Sequence, residues 1–305
     1  MKESKDKNIL IVGATGYIGQ KLIQRLKETG NPIRCLVRNP RSFKENPSQQ
    51  IQIQQGDLID FESIKNAFTG IDTAFYLVHS LDVKRDFEKQ EQKAATNFAN
   101  AAKSANIKRI IYLGALGNEE EGPLSPHLQS RKEVGNILRS SGVPVLEFQA
   151  SIILGSGSLS FEMIRTLSER LPAMLMPKWV FVKAQPIGVA DVLEFLMQGI
   201  DIKMQHNEII EIGGPEQVSY KDLISEYCRQ RKLQRLLIPV PVLTPWLSSL
   251  WLELVTPIYA RVGRKLVESI KNPTVVKNDK ASRVFPGIHP RGISEAIGKA
   301  IHEAG

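Results

Sequence analysis

The chain has 305 residues, 42% hydrophobic and 24% charged, enough for one large globular domain or for a domain with a smaller lobe. The formal net charge of +8 favours anionic ligands, but the basic residues are scattered without interleaved aromatic residues, so no nucleic acid partner is expected. Cys35 and Cys228 form no CxxC or Cys/His cluster and the first residues lack signal-peptide features, so we expect no metal site and a cytoplasmic location.

The first half of the chain alternates short apolar runs with amphipathic stretches. This alternation predicts a parallel sheet covered by helices on both faces, an α/β fold of the doubly wound Rossmann type. The predicted strands are Asn8–Val12, Ile33–Val37, Ile51–Gln54, Thr73–Val78, Arg109–Leu113 and Val145–Phe148. The predicted helices between them are Tyr17–Thr29, Ser63–Phe68, Asp86–Ser104 and residues 125–138.

A glycine-rich turn, GATGYIG, follows the first strand and opens the first helix. Gly13 permits a tight turn, Gly16 permits close approach of a pyrophosphate, and Gly19 permits close packing of helix on strand. The free amides and the dipole at the helix start bind the anion. We expect the cofactor-binding residues of this turn to be Gly13, Thr15, Gly16, Tyr17, Ile18 and Gly19.

The second strand ends in Val37-Arg38-Asn39-Pro40-Arg41, where NAD-binding folds usually place an Asp or Glu. An arginine there pairs with a 2′-phosphate, so Arg38 predicts NADP(H) in preference to NAD(H), with Arg41 assisting. The alternative for Arg38 is a solvated loop arginine. Further cofactor contacts are expected after the third and fourth strands, at Asp57, Leu58, Leu77, Val78 and His79. His79 is equally well explained as a structural loop histidine.

The stretch SPHLQSRKEVGNIL, residues 125–138, predicts a helix capped by Ser125 with Pro126 at its first position. His127 and Arg131 lie four residues apart and share a helix face. A histidine titrates near neutrality and can act as a general acid, while an arginine can hold a ribose hydroxyl or an anionic substrate. We therefore select His127 and Arg131 as the candidate catalytic pair. The alternative is that both are surface residues at a helix start.

After about residue 155 the alternation changes, which predicts a cofactor domain over 1–155 and a C-terminal lobe over 156–305, partly woven into the sheet. Its predicted elements are Phe161–Arg170, Val189–Gly199, Glu208–Ile212 and Ser219–Arg231. Ser151, Gly155, Ser156 and Gly157 are expected to form a loop over the nicotinamide. Phe161, Met163 and Trp179 either pack in the core or line an apolar pocket there.

Residues 237–259 are apolar and contain Trp246 and Trp251, but four prolines limit the longest uninterrupted run to eleven residues. A membrane span needs about 20. Three interpretations stay open for this segment: a helix packed on the core, a wall or lid over an apolar ligand pocket, and a peripheral membrane contact.

Together, GATGYIG, the arginine after the second strand and the Gly56-Asp57-Leu58 turn resemble the short-chain dehydrogenase/reductase superfamily. The stretches YLVHS (76–80), HLQSR (127–131) and ILGSGSLSFE (153–162), with the proline-rich C-terminal lobe, resemble its atypical NmrA-like branch of NAD(P)-binding proteins. This resemblance implies the Rossmann fold and the NAD(P) cofactor much more specifically than it implies a reaction.

Typical members of the superfamily carry a Tyr-x-x-x-Lys pair on the helix after the fifth strand and a Ser or Thr at the end of that strand. This chain has His127 and Arg131 in the helix, and its fifth strand ends in Leu113-Gly114-Ala115 without a hydroxyl. Lys132 is one position off the shared face. All three positions depart from the pattern, so ordinary tyrosine-based carbonyl reduction is not expected.

Two functions follow from these residues. The first is an NADPH-dependent reductase of a small apolar carbonyl, enone or quinone, because hydride transfer needs mainly positioning over the nicotinamide. The second is a non-catalytic, NADP(H)-responsive regulator or assembly factor that binds a protein partner.

Overall fold

Seven parallel strands form the central sheet in a computed structural model that describes residues 7–43, 47–78, 87–117, 122–240 and 272–304. The strand order is β3-β2-β1-β4-β5-β6-β11, and every neighbouring pair is parallel. The strands are β1 (Ile9–Val12), β2 (Ile33–Val37), β3 (Ile51–Gln55), β4 (Thr73–Tyr76), β5 (Arg109–Ala115), β6 (Val145–Ala150) and β11 (Glu208–Ile212). The predicted doubly wound parallel sheet is confirmed.

Helices cover both faces of this sheet. They are α1 (Tyr17–Lys27), α2 (Phe61–Ile64), α3 (Phe87–Ser104), α4 (Pro126–Arg139), α5 (Leu159–Arg170), α6 (Val189–Gln198), α7 (Tyr220–Gln230), α8 (Lys280–Val284) and α9 (Ile293–Ala304). Side chains alternate along β1: Ile9 and Ile11 pack in one core with α1, α6 and α8, while Leu10 and Val12 pack in a second core with α2, α3 and α4. A strand buried on both faces is uniformly apolar, which is the pattern that the sequence shows.

The second half of the chain both extends the sheet and builds a third core. β11 pairs with β6, so part of the segment assigned to the C-terminal lobe lies in the main sheet. The third core packs α5, α7 and α9 together, and it contains Phe161 and Met163. Both side chains are almost fully buried, which favours core packing over the pocket interpretation for them. The boundary near residue 155 stays a prediction.

In the described part of the chain, three short strand pairs lie outside the large sheet. They are β7 (Ile153–Leu154) with β10 (Ile187–Gly188), β8 (Ala173–Met176) with β13 (Leu236–Pro239), and β9 (Lys183–Ala184) with β12 (Val218–Ser219). None of these strands was predicted from the sequence, since two- to four-residue strands leave no measurable period. Neither α8 nor α9 was predicted from the sequence.

Among the described residues, no helix has the length and hydropathy needed to cross a bilayer. The same part of the chain holds no group of three His, Cys, Asp or Glu side chains that could bind a metal ion. Residues 241–259 of the apolar segment, which include Trp246 and Trp251, lie outside the described residues, as does His79, whereas residues 237–239 belong to β13.

An ion pair between α4 and β6 lies buried inside the fold. Glu147 is 1% exposed, its carboxylate pairs with the Arg139 guanidinium, and it also accepts a hydrogen bond of 2.8 Å from the Gln149 side chain. Gly135 leaves room for the Glu147 carboxylate, because a Cβ at Gly135 would lie 2.7 Å from one of its oxygens. Removing one member of such a pair leaves a buried charge without compensation.

Arg139→Ala is therefore expected to lower the free energy of unfolding by about 3–5 kcal/mol, measured by chemical denaturation. Arg25→Ala is the control, because Arg25 pairs with Glu194 at 3.5 Å on the surface and both side chains are more than 40% exposed. The control should lose less than about 1 kcal/mol. Equal losses in the two variants would contradict a buried role for Arg139.

Candidate functional site

The turn between β1 and α1 presents open backbone amides at a helix start. The Gly16 amide donates to the Gly13 carbonyl oxygen at 2.9 Å, which closes the turn. Gly16 is the N-cap of α1 and provides no side-chain cap, and the first helical turn carries no acidic residue. The amides of Tyr17, Ile18 and Gly19 therefore lack an intrahelical acceptor and suit an anion.

Two glycines of this turn are required by close packing. Gly13 has φ +96°, and a Cβ there would lie 2.7 Å from the Leu77 carbonyl carbon at the end of β4. A Cβ at Gly19 would lie 2.2 Å from the Gly13 carbonyl oxygen. At Gly16, a Cβ would meet only the Gly13 oxygen, at 3.2 Å, and the residue is exposed together with Thr15. The missing side chain at Gly16 leaves the backbone approachable, so the turn fits a pyrophosphate.

Two guanidinium groups lie beyond the end of β2. Arg38 and Arg41 are both exposed, and neither has an ion-pair partner in the part of the chain that the structure describes. The Asn39 side chain accepts from the Arg41 amide at 3.0 Å, which fixes the turn between them. The Arg38 carbonyl accepts from the Gln55 side chain at 3.3 Å, which ties the turn to β3. Both cations are available to an anionic ligand.

The predicted contacts after β3 and β4 lie at the same edge of the sheet. Asp57 shapes its turn: one carboxylate oxygen accepts from the Ile59 amide at 3.1 Å. Leu58 is 8% exposed and belongs mainly to the core. Leu77 and Val78 are half-buried, and the Leu77 amide donates to the Val12 carbonyl at 2.9 Å. Their roles toward a cofactor stay predictions.

The helix that carries the candidate catalytic pair begins as predicted. The Ser125 hydroxyl accepts from the Leu128 amide at 3.3 Å, and Pro126 holds the first helical position. His127 follows in the first turn and is half-buried. This places its imidazole at the start of α4, the helix that follows β5.

Arg131 is buried, in contrast to the surface position that the sequence left open. It is 6% exposed, and its guanidinium lies over the Tyr112 ring, 4.9 Å from the centroid. One terminal nitrogen donates to the Val78 carbonyl at 2.9 Å and the other donates to the Leu113 carbonyl. Arg131 thus joins the carboxyl ends of β4 and β5, and we interpret it as a positioning residue. Its predicted contact with a ribose or an anionic substrate stays a prediction.

Tyr112 completes this buried arrangement. Its hydroxyl donates to the Arg131 carbonyl at 2.9 Å, and burial raises its pKa to about 12, so it stays protonated. Nearby, the Ser130 hydroxyl donates to the buried Glu91 carboxylate of α3. These contacts fix the orientation of α4 relative to the sheet, and with it the position of His127.

Residues 272–276 supply site contacts that sequence reasoning missed. The Asn272 side chain accepts from the Ser125 amide at 3.1 Å and donates to the Pro123 carbonyl at 3.0 Å, so it holds the chain just before α4. The Thr274 hydroxyl lies 2.5 Å from the Ser151 hydroxyl in the loop after β6. Asn272 is 147 residues distant from Ser125 in sequence, and no local pattern signals such a pairing.

The Tyr17 side chain connects the glycine-rich turn to the loop after β6. A Cβ at Gly155 would lie 2.4 Å from the Tyr17 hydroxyl oxygen, and Gly157 lies beside the same ring. Burial, then the charges of Glu303 and Glu162, raise the pKa of Tyr17. The hydroxyl oxygen is buried without a hydrogen-bond partner in the described part of the chain. The packing of this loop therefore depends on the ring and on the absence of a side chain at Gly155.

Comparisons with known proteins show which family the chain resembles. The sequence profile of the NmrA-like family matches residues 5–240. The chain is 25% identical to the phenylcoumaran benzylic ether reductase POP1 of Populus trichocarpa over 325 residues, covering 95% of this chain and 97% of that one. It is 28% identical to cinnamoyl-CoA reductase 1 of Petunia hybrida over 127 residues, only 38% of the length of that reductase and 38% of this chain.

Among solved structures, the chain is similar to the NADPH-dependent quinone oxidoreductase QOR2 of Escherichia coli, complexed with NADPH. The TM-score is 0.74 at 21% identity, over 95% of this chain and 98% of that one. A likeness at this level of identity shows a shared fold.

Tyr17→Phe is expected to leave the free energy of unfolding unchanged or to raise it by up to about 1 kcal/mol, because it removes an unpaired buried hydroxyl. Tyr112→Phe is the matched control, since it removes the hydrogen bond from the Tyr112 hydroxyl to the buried Arg131 carbonyl and should cost about 1–2 kcal/mol. Both are measured by chemical denaturation. A loss in Tyr17→Phe as large as in Tyr112→Phe would show that the Tyr17 hydroxyl has a partner.

Proposed function

Because this chain belongs to the NmrA-like family, we propose that it is an NADPH-dependent reductase of a small apolar quinone, enone or carbonyl compound. The observation that carries the proposal is the open helix start behind Gly13–Gly19, with two exposed guanidinium groups at the end of the neighbouring strand that have no ion-pair partner among the described residues. Cys35 and Cys228 are buried and form no disulfide, which supports a reducing, cytoplasmic location.

The cofactor would be held by residues from four strand ends. The amides of Tyr17, Ile18 and Gly19 would bind the pyrophosphate, because they point from a helix start that has no competing side-chain cap. Arg38, assisted by Arg41, would pair with the 2′-phosphate. An aspartate at that position would repel the phosphate, so the residues present favour NADP(H) over NAD(H). Asp57 and the residues after β4 would contact the adenosine and the ribose.

Bound NADPH would supply a hydride, that is, two electrons and one proton. Reduction of a quinone to a hydroquinone needs one further proton, and the same holds for an enone or a carbonyl. His127, half-buried at the start of α4, is the side chain that would deliver it. Arg131 acts on this step indirectly, because it fixes α4 against the ends of β4 and β5.

The proposed substrate class follows from the absence of a hydroxyl side chain at the end of β5. The end of β5 carries Gly114 and Ala115, so no hydroxyl polarises a carbonyl from that position. A quinone or an activated alkene accepts hydride with less acid assistance than a ketone. The names of two similar proteins, a quinone oxidoreductase and a benzylic ether reductase, accord with apolar or aromatic substrates.

The same missing groups favour the second candidate, an NADP(H)-responsive regulator or assembly factor without turnover. Such a protein would need different affinities for the oxidised and the reduced cofactor. A ligand that binds two protein conformations equally well leaves the equilibrium between them unchanged.

Arg38→Ala is expected to weaken NADPH binding about 10- to 100-fold while changing NADH binding less than about twofold, because one charge-assisted contact with the 2′-phosphate is lost. Calorimetric titration with the four nicotinamide cofactors measures this. Arg25→Ala is the control, since Arg25 lies in the last turn of α1, at the other end of that helix from the glycine-rich turn. Equal losses for NADPH and NADH would contradict recognition of the phosphate by Arg38.

His127→Ala is expected to lower the rate of NADPH consumption about 100-fold with the best substrate of a quinone and enone panel, while NADPH affinity stays within about twofold. His206→Ala, at an exposed position, should leave both unchanged.

Two outcomes of this assay separate the candidate functions. If the unmodified protein consumes no NADPH with any member of the panel, the reductase proposal fails. A clear difference in its affinity for NADP+ and NADPH would then favour the regulator. If His127→Ala retains full activity, the proton comes from elsewhere and the role of His127 is wrong.

A further inference from the structure

The two-stranded sheet of β8 and β13 exposes an apolar face. Ala173 pairs with Leu236 and Leu175 pairs with Ile238, so these four side chains share one face. Leu236 is 62% exposed, and Leu175 and Ile238 are each 38% exposed. Five large apolar side chains of the described residues are exposed, and three of them belong to this face. Clustered exposure of this kind differs from the scattered apolar residues of an ordinary surface.

The opposite face of the same sheet fixes its orientation. Met174 and Met176 are 1% and 2% exposed and pack in the third core, and Leu237 packs against that core from the neighbouring strand. Because side chains alternate along a strand, burial of these residues forces Leu175, Leu236 and Ile238 outward. The exposed face is therefore a fixed feature of the fold.

The chain around this face is strongly basic. Residues 170–178 and 231–240, which contain the two strands, carry five basic residues and no acidic one. These are Arg170, Lys178, Arg231, Lys232 and Arg235. Glu169 is the acidic neighbour, and it approaches Arg231 at 3.9 Å while accepting a hydrogen bond from the Tyr227 hydroxyl. The region keeps a clear excess of positive charge.

We propose that the face formed by Ala173, Leu175, Leu236 and Ile238 docks on the surface of an anionic lipid bilayer. A few apolar side chains that enter the headgroup layer, flanked by lysine and arginine, are the pattern of peripheral membrane contact. A second copy of this chain is disfavoured, because pairing of the same faces would bring two basic surfaces together. Nucleic acid would match the charge but offers no layer that accepts three aliphatic side chains.

Vesicle flotation with the full chain tests the proposal. The protein is expected to float with vesicles that mix phosphatidylcholine and phosphatidylglycerol, and to remain at the bottom with phosphatidylcholine alone. Binding should weaken as salt is raised, since exposed charges are screened. Leu236→Asn combined with Ile238→Asn should reduce the partition constant about tenfold or more. Lys232→Gln should reduce it about fivefold at low salt.

Ile209→Asn is the control, because Ile209 is 39% exposed on β11, the edge strand of the large sheet. It should float like the unchanged protein. The double variant should keep its thermal unfolding temperature and its NADPH affinity, since both substituted side chains are exposed. These readouts separate the membrane proposal from the reductase proposal.

Three outcomes would overturn the proposal. They are absence of the protein from anionic vesicles at low salt, equal binding to neutral and anionic vesicles, and undiminished flotation of the double variant. The last would show that another part of the chain contacts lipid. A dimer in sedimentation that the double variant abolishes, without flotation, would instead identify a second copy as the occupant.

Discussion

A parallel sheet brings the carboxyl ends of all its strands to one edge, and the candidate site depends on that constraint. The turn after β1, the arginines after β2, the Asp57 turn after β3 and the start of α4 after β5 all lie there because no strand of the large sheet is reversed. Contact between these loops then requires close backbone packing. Gly13 provides it, since any side chain at that position would overlap the Leu77 carbonyl at the end of β4.

The buried guanidinium of Arg131 has a comparable structural role, since it binds the chain just after β4. A charge placed in a protein interior is destabilising unless hydrogen bonds and favourable electrostatics offset its desolvation. Here two main-chain carbonyls and the face of the Tyr112 ring provide that compensation. The carbonyls belong to the ends of β4 and β5, so the compensation also fixes where those strands end relative to α4. A lysine has one compact ammonium and could not span both carbonyls with the same planar geometry.

Local patterns in the sequence predicted the elements whose burial is regular. The apolar runs of β1 and β2, the amphipathic period of α1, and the Ser125-Pro126 start of α4 each depend on residues close in sequence, and each is present in the structure. Burial of Arg131 could not be predicted in that way, because its acceptors lie at Val78 and Leu113. A side-chain pattern of one helix does not report which carbonyls the neighbouring strands present.

The contribution of Asn272 extends this point to the organisation of the chain. A division into a cofactor half and a substrate half suggests that each half builds its own part of the site. Instead, Asn272 and Thr274, from the last part of the chain, bind the residue before α4 and the loop after β6. The position of His127 is thus set jointly by Arg131 from within α4 and by Asn272 from outside it. Changes in the C-terminal part can therefore alter the position of His127 without touching the glycine-rich turn between β1 and α1.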